Sequence, residues 1–168
     1  VRTMTYTESR AKYAETLRAV VDDREEVVVT RAGHEPVVIV ALDEYESLKE
    51  TAYQLRSPEN ARRLLGLDRA AGKWRRHGTG ACGKFVWDQS SWDDYVWWQS
   101  QDRKILKRIN VLLQGIARNG NEGMGKPEPL KHGFQGYWSR RITDEHRLIC
   151  KVVGDEVRIA ACRYHHGP

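Results

Sequence analysis

Cysteine is scarce in this chain: Cys82, Cys150 and Cys162 are three in 168 residues. Their odd number and the lack of paired ligand spacing argue against a disulfide framework or a cysteine-based zinc site. Long apolar runs are missing too. The longest, Val37 to Leu42, falls far short of a membrane span, and the first residues lack the charged start and apolar stretch of an export signal. Internal repeats and low-complexity tracts are absent. These absences favour a soluble protein of a reducing cytoplasm, with neither metal nor cofactor expected.

Charge divides what remains. Val1 to Ala71 carries 11 Lys+Arg against 13 Asp+Glu, net −2, whereas Lys84 to Pro168 carries 14 against 10, net +4. Between them Gly72 to Gly83 adds Lys73, Arg75 and Arg76 with no acid and four glycines, the composition of a linker. The sequence pI of about 9.2 raises the prior for a polyanionic partner.

In the front block Arg2 to Tyr6 alternates like a short strand. Thr7 is a candidate N-cap for a helix with Tyr13, Leu17, Val20 and Val21 on one face. Val27 to Thr30 and Pro36 to Ala41 flank the turn Ala32-Gly33-His34-Glu35 as a hairpin. A helix near Asp43 presents Tyr45, Leu48 and Ala52. Ser57-Pro58-Glu59 supplies the next helix with a cap, a first-turn proline and a first-turn acid. So small a core favours pairing with a second copy. In the back block a strand at Phe85 to Trp87 precedes a helix capped by Ser90 or Ser91 and another capped by Asp102. The second has an apolar stripe of Ile105, Ile109, Leu112, Leu113 and Ile116 opposite a basic face. After the Gly- and Pro-rich stretch Asn119 to Gln135 come three strands, Gly136 to Ile142, Arg147 to Val153 and Glu156 to Tyr164. The order predicts an α+β protein whose back half packs two helices on an antiparallel sheet.

Gly125-Lys126-Pro127-Glu128-Pro129-Leu130-Lys131-His132, Trp138-Ser139-Arg140-Arg141 and Arg163-Tyr164-His165 combine a carboxylate, cations and a histidine. That set suits RNA cleavage. A glutamate can take the proton of a ribose 2′-hydroxyl, arginine can hold the phosphate as charge grows, and histidine can protonate the leaving 5′-oxygen. Glu128 lies between two prolines, which stiffen the turn that presents it. It could equally pair with Lys126 or Lys131, and Arg147 with Asp144 or Glu145.

Residues 1 to about 65, through Arg2-Thr3-Met4-Thr5-Tyr6-Thr7-Glu8-Ser9-Arg10, Leu42-Asp43-Glu44-Tyr45-Glu46-Ser47-Leu48 and Arg56-Ser57-Pro58-Glu59-Asn60-Ala61-Arg62-Arg63-Leu64, resemble the Phd/YefM family of antitoxins. Lys84 to His165, through Trp92-Asp93-Asp94-Tyr95, the Glu128 motif and Ala160-Ala161-Cys162-Arg163-Tyr164-His165, resembles the YoeB-type toxins of the RelE/ParE superfamily. The resemblance implies an antitoxin domain over 1–71, a linker over 72–83 and a RelE-like toxin domain over 84–168. It further implies a ribosome-dependent mRNA endoribonuclease that needs no metal and forms a 2′,3′-cyclic phosphate. Glu128, Arg147 and His165 would be catalytic, and Lys131, Arg141 and His166 would bind substrate. Arg10 and Arg31 would contact operator DNA. Implied partners are the ribosome, mRNA, operator DNA and a second copy of the chain.

Three features depart from the family pattern. His166 stands where an aromatic usually follows the terminal histidine, Cys150 stands where tyrosine is common, and the linker is basic where the antitoxin normally becomes acidic. They leave a second reading open, a DNA-binding autorepressor carrying an inert toxin remnant.

Overall fold

The computed structural model describes residues 1–66, the backbone of 75–79, and 84–165. By packing, the chain divides into two compact units, Val1–Glu46 and Ser47–Pro168. The architecture is α+β in both.

The first unit holds β1 (Arg2–Thr5), α1 (Tyr6–Ala11), α2 (Tyr13–Asp22), β2 (Val27–Arg31), β3 (His34–Ile39) and the start of α3 (Leu42–Leu55). Its sheet runs β1-β2-β3, with β1 parallel to β2 and β3 antiparallel to it. Gly33, at φ +74°, makes the tight hairpin turn. The cap of the first helix is Thr5 rather than Thr7. Thr5 and Glu8 form a reciprocal capping box, which satisfies two amides at once where Thr7 would satisfy one. Met4, Val20, Val27, Val29 and Ala41 make a small core. Of the expected α2 face only Val20 is buried, with Thr16; Tyr13, Leu17 and Val21 are exposed, as are Val37 and Val38 on β3.

The second unit contains the rest of α3, α4 (Pro58–Gly66), β4 (Arg75–Thr79), β5 (Lys84–Trp87), α5 (Gln89–Gln101), α6 (Arg103–Asn119), β6 (Glu128–Pro129), β7 (Trp138–Arg141), β8 (Arg147–Val153) and β9 (Glu156–Ala161). Its six-stranded sheet runs β4-β5-β9-β8-β7-β6, antiparallel except for β5 beside β9. Part of the stretch expected as a linker is therefore a strand, because β5 would otherwise leave a row of unpaired backbone groups that β4 satisfies. The remainder of that stretch, 72–74 and 80–83, lies outside the described residues, as do 67–71.

Local chemistry sets the helix ends. Asp88, not Ser90 or Ser91, caps α5, its carboxylate accepting from the Ser90 amide; Asp102 caps α6 as its sequence indicates. The α6 stripe buries Ile109, Leu112, Leu113 and Ile116 against Trp98, Leu148, Cys150 and Ile159 on one face of the sheet. On the other face Ile149 packs with Leu130, Phe134, Tyr137, Ala160, Ala161 and Leu64 of α4. Arg147 to Cys150 are consequently all buried, the pattern of a strand covered on both sides.

Two features fix the loop that leads to β6. Arg140 is 1% exposed and donates to the carbonyls of Gly120, Glu122 and Met124. At Gly125, φ +88°, a Cβ would come within 2.7 Å of Leu112 Cδ2, so only glycine fits.

Burial pushes the Cys150 thiol up to about 11 and holds Cys162 well above its ordinary value. A full-length Cys82→Ser chain at pH 8 should therefore leave a disulfide reagent such as DTNB unreacted while folded, and consume two equivalents once denatured. Rapid labelling of the native protein would contradict this packing.

Candidate active site

The face of the sheet opposite α5 and α6 collects the charged groups. Glu128 pairs across the ladder with Ser139, and Ser139 with Ile149, so these three side chains share a face. Arg147 lies two residues before Ile149 and shares it as well. Glu128 is 14% exposed in its side chain and 3.6 Å from Lys126 Nζ, so the ion pair that its sequence allowed is present.

Arg147 is 6% exposed and held by its own turn, NH1 donating to the carbonyls of Thr143, Asp144 and His146 at 2.9, 3.1 and 3.3 Å. Its Nε donates to Oε1 of Glu50 at 2.9 Å. Ser139 donates its hydroxyl to the same oxygen at 2.5 Å, and Gln54 Nε2 does so at 3.0 Å. The guanidinium also lies over the Tyr53 ring at 4.8 Å, and Tyr53 stacks on Tyr164 at 4.9 Å. Burial raises the Tyr53 phenol above its ordinary pKa, partly offset by Arg147.

Glu50, Tyr53 and Gln54 belong to α3. The expected face of Tyr45, Leu48 and Ala52 is not the buried one. Ser47, Thr51 and Gln54, 1–2% exposed, face the sheet, and Tyr45 is 49% exposed. The reason is the surface beneath, which offers polar groups. Ser47 donates to the Pro129 carbonyl, and Thr51 Oγ1 accepts from the Lys131 amide at 2.8 Å. At α4 the Ser57 cap, accepting from the Asn60 amide, is present as its sequence indicates. Its hydroxyl donates to the His165 carbonyl.

His165 follows β9, its side chain 11% exposed. Nε2 lies 3.0 and 2.9 Å from the two carboxylate oxygens of Asp94 on α5. Arg63 of α4 brings NH1 to 3.0 Å from Asp94 and 2.6 Å from Nε2, and Glu59 stands 3.7 Å from Nδ1. Glu128 and Arg147 thus share one face of the sheet, while His165 is held separately by a carboxylate.

Arg141, exposed and across the ladder from Arg147, lines an open groove of about 480 Å³ with Arg108, Lys126 and Asp144. His166 lies outside the described residues. In the first unit Arg10 is exposed in the last turn of α1 and Arg31, also exposed, sits 5.4 Å over the Tyr6 ring.

Sequence reasoning missed Glu50, Arg63, Ser139 and Asp94 as members of this cluster. A signal existed for the first, since Ser47, Glu50, Thr51 and Gln54 fall at steps of three, four and seven, a polar stripe at helical spacing. Asp94 sits in a motif already distinctive in sequence. Nothing in the sequence marks Ser139 or Arg63 from their neighbours.

Comparison with known proteins accounts for both halves. Residues 87–166 match the model of the YoeB-like toxin of bacterial type II toxin-antitoxin systems, and residues 2–73 that of the Phd/YefM antitoxin. Toxin YoeB of Escherichia coli (strain K12) is 55% identical over 83 residues, covering 49% of this chain and 99% of that protein. Antitoxin YefM of the same strain is 46% identical over 65 residues, covering 39% of this chain and 78% of that protein. Among solved structures, a YoeB–YefM complex from Staphylococcus aureus is 44% identical over 49% of this chain and 95% of that chain, with a TM-score of 0.48. Because each curated relative is matched over most of its own length, the chain belongs to two families at once, the Phd/YefM antitoxins through residues 2–73 and the YoeB-like toxins through residues 87–166.

Proposed function

We propose that this protein, a type II toxin and its antitoxin on one polypeptide, is a restrained endoribonuclease that cuts mRNA on the ribosome and so inhibits translation. In this reading 1–71 acts as the antitoxin, 72–83 joins the halves and 84–168 is the nuclease. Glu128 takes the 2′-hydroxyl proton, the 2′-oxygen attacks phosphorus, and His165 protonates the departing 5′-oxygen, leaving a 2′,3′-cyclic phosphate and a 5′-hydroxyl. Arg147 offsets the charge that grows on the phosphate. Lys131, Arg141 and His166 bind the surrounding RNA. No step requires a metal.

The observation that carries the restraint is the Glu50 carboxylate seated on Arg147. Residues 47–66 contain two acids and four bases, so they do not cover the basic face by bulk opposite charge. They match it group by group: Glu50 on Arg147, Arg63 on Asp94, Thr51 on the Lys131 amide. That lessens the importance of an acidic continuation. Cys150 faces the α5/α6 core and not the side that bears Glu128, which favours the enzyme over the inert-remnant reading.

The first unit acts as the dimerising, operator-binding part in this proposal. Its exposed Tyr13, Leu17, Val21, Val37 and Val38 supply apolar surface that a second copy would bury, and exposed Arg10 and Arg31 supply cations for DNA phosphates.

Two outcomes test this. Glu50→Ala with Arg63→Ala in the full chain strands a buried guanidinium, a loss of about 3 to 5 kcal/mol. It should stop translation in a cell-free extract that the unaltered chain leaves running. Adding Glu128→Ala should restore synthesis, with a cleavage rate about 10²–10⁴-fold lower; arrest that persists without Glu128 would overturn the assignment. Separately, Arg10→Ala and Arg31→Ala should each weaken binding to a fragment of the chain's own promoter and flatten its salt dependence by about one ion per arginine. Unchanged binding isotherms would remove DNA contact from these residues.

A further inference from the structure

Ser139 is an unusual occupant of its position. Serine has no packing advantage within a strand, and this one is 1% exposed on β7, one strand in from the edge of the six-stranded sheet. A buried hydroxyl is costly unless it is hydrogen-bonded. Its hydroxyl donates to Glu50 Oε1, the atom that also receives Arg147 Nε. At 2.5 and 2.9 Å the two donors converge on one anionic oxygen with the short lengths of charge-assisted bonds. The backbone of Ser139 is set by its pairing with Glu128 and Ile149, and the Arg147 guanidinium by the three carbonyls of its turn. The pair forms an oxyanion clamp, and across the ladder from Ser139 is Glu128.

We infer that Ser139 is a substrate-contacting residue whose hydroxyl, with the Nε–H of Arg147, binds one non-bridging oxygen of the scissile RNA phosphodiester, and that Glu50 occupies this site as a carboxylate surrogate. The inference rests on the nuclease reading above and adds to it a residue and the way restraint works. Carboxylate and phosphate present the same feature to the clamp, a charged oxygen that accepts two donors. Binding of the two is mutually exclusive because one oxygen fills the position. Tyr53 completes the imitation. Its ring covers the Arg147 guanidinium and stacks on Tyr164, where an unpaired base would stack. A helix thereby presents a charged oxygen and an aromatic face in the order in which a nucleotide presents its phosphate and base. Once α3 leaves, the Ser139 hydroxyl requires a new acceptor, and the phosphodiester provides one.

The experiment uses the full-length Glu50→Ala/Arg63→Ala chain and single-turnover cleavage of mRNA on programmed ribosomes. Ser139→Ala in that background should slow cleavage about ten- to a hundredfold, the worth of a hydrogen bond to a charged group. Ser139→Thr, which keeps the hydroxyl, should cut nearly as fast as serine. An mRNA with one stereodefined phosphorothioate at the cut position should slow the serine enzyme and slow Ser139→Ala less, a difference that a packing role would not produce. Cleavage within about twofold of the parent after Ser139→Ala, or equal loss with alanine and threonine, overturns the clamp and leaves the nuclease standing. Failure of the open chain to cut overturns both.

Discussion

One buried ion pair organises the second unit, that of Arg147 with Glu50, whose side chains are 7% and 11% exposed. The turn carbonyls that hold the Arg147 guanidinium supply only partial charge, and the Glu50 carboxylate offsets the rest of the cost of burying it. That face favours a negative group beside Arg147, and Glu50 of α3 supplies it. Ser47 and Thr51 meet backbone groups of Pro129 and Lys131, Gln54 donates to Glu50, Ser57 meets the His165 carbonyl, and Asn60 ties α4 back to Gln54.

The sheet separates stability from chemistry. Its α5/α6 side is a conventional apolar core in which Leu148, Cys150 and Ile159 meet Ile109, Leu112 and Ile116. Its other side mixes a small apolar cluster with Glu128, Ser139 and Arg147. Alternation along β8 sends Leu148 and Cys150 one way and Arg147 and Ile149 the other, so one strand serves both tasks.

Much of this was legible in the sequence, and what was not had a common cause. The α6 stripe, the Asp102 cap, the Ser57 cap, the hairpin at Gly33 and the three closing strands all follow local rules of period and capping that the structure keeps. The Thr5 capping box and the Asp88 cap are written just as locally, two to three residues before the expected caps. The buried side of α3 was unreadable for another reason. Apolar periodicity assumes that a helix packs on an apolar surface, and α3 packs on a polar one. Glu128, Arg147 and His165 are singled out by their motifs, but the partners that hold Arg147 and His165, namely Glu50, Arg63 and Asp94, come from elements remote in sequence. Only a folded chain brings those charges together.

The polar underside of α3 has a thermodynamic consequence. Hydroxyls, amides and a carboxylate are groups that water solvates readily, so lifting this helix would exchange protein bonds for hydration while uncovering little greasy area. The heat-capacity change of that step should be correspondingly small, and neither parted surface would become adhesive. Leu64 of α4, which enters the apolar cluster, is the contrasting anchor. The cover thus meets the sheet through a polar half on α3 and an apolar contact at Leu64 on α4.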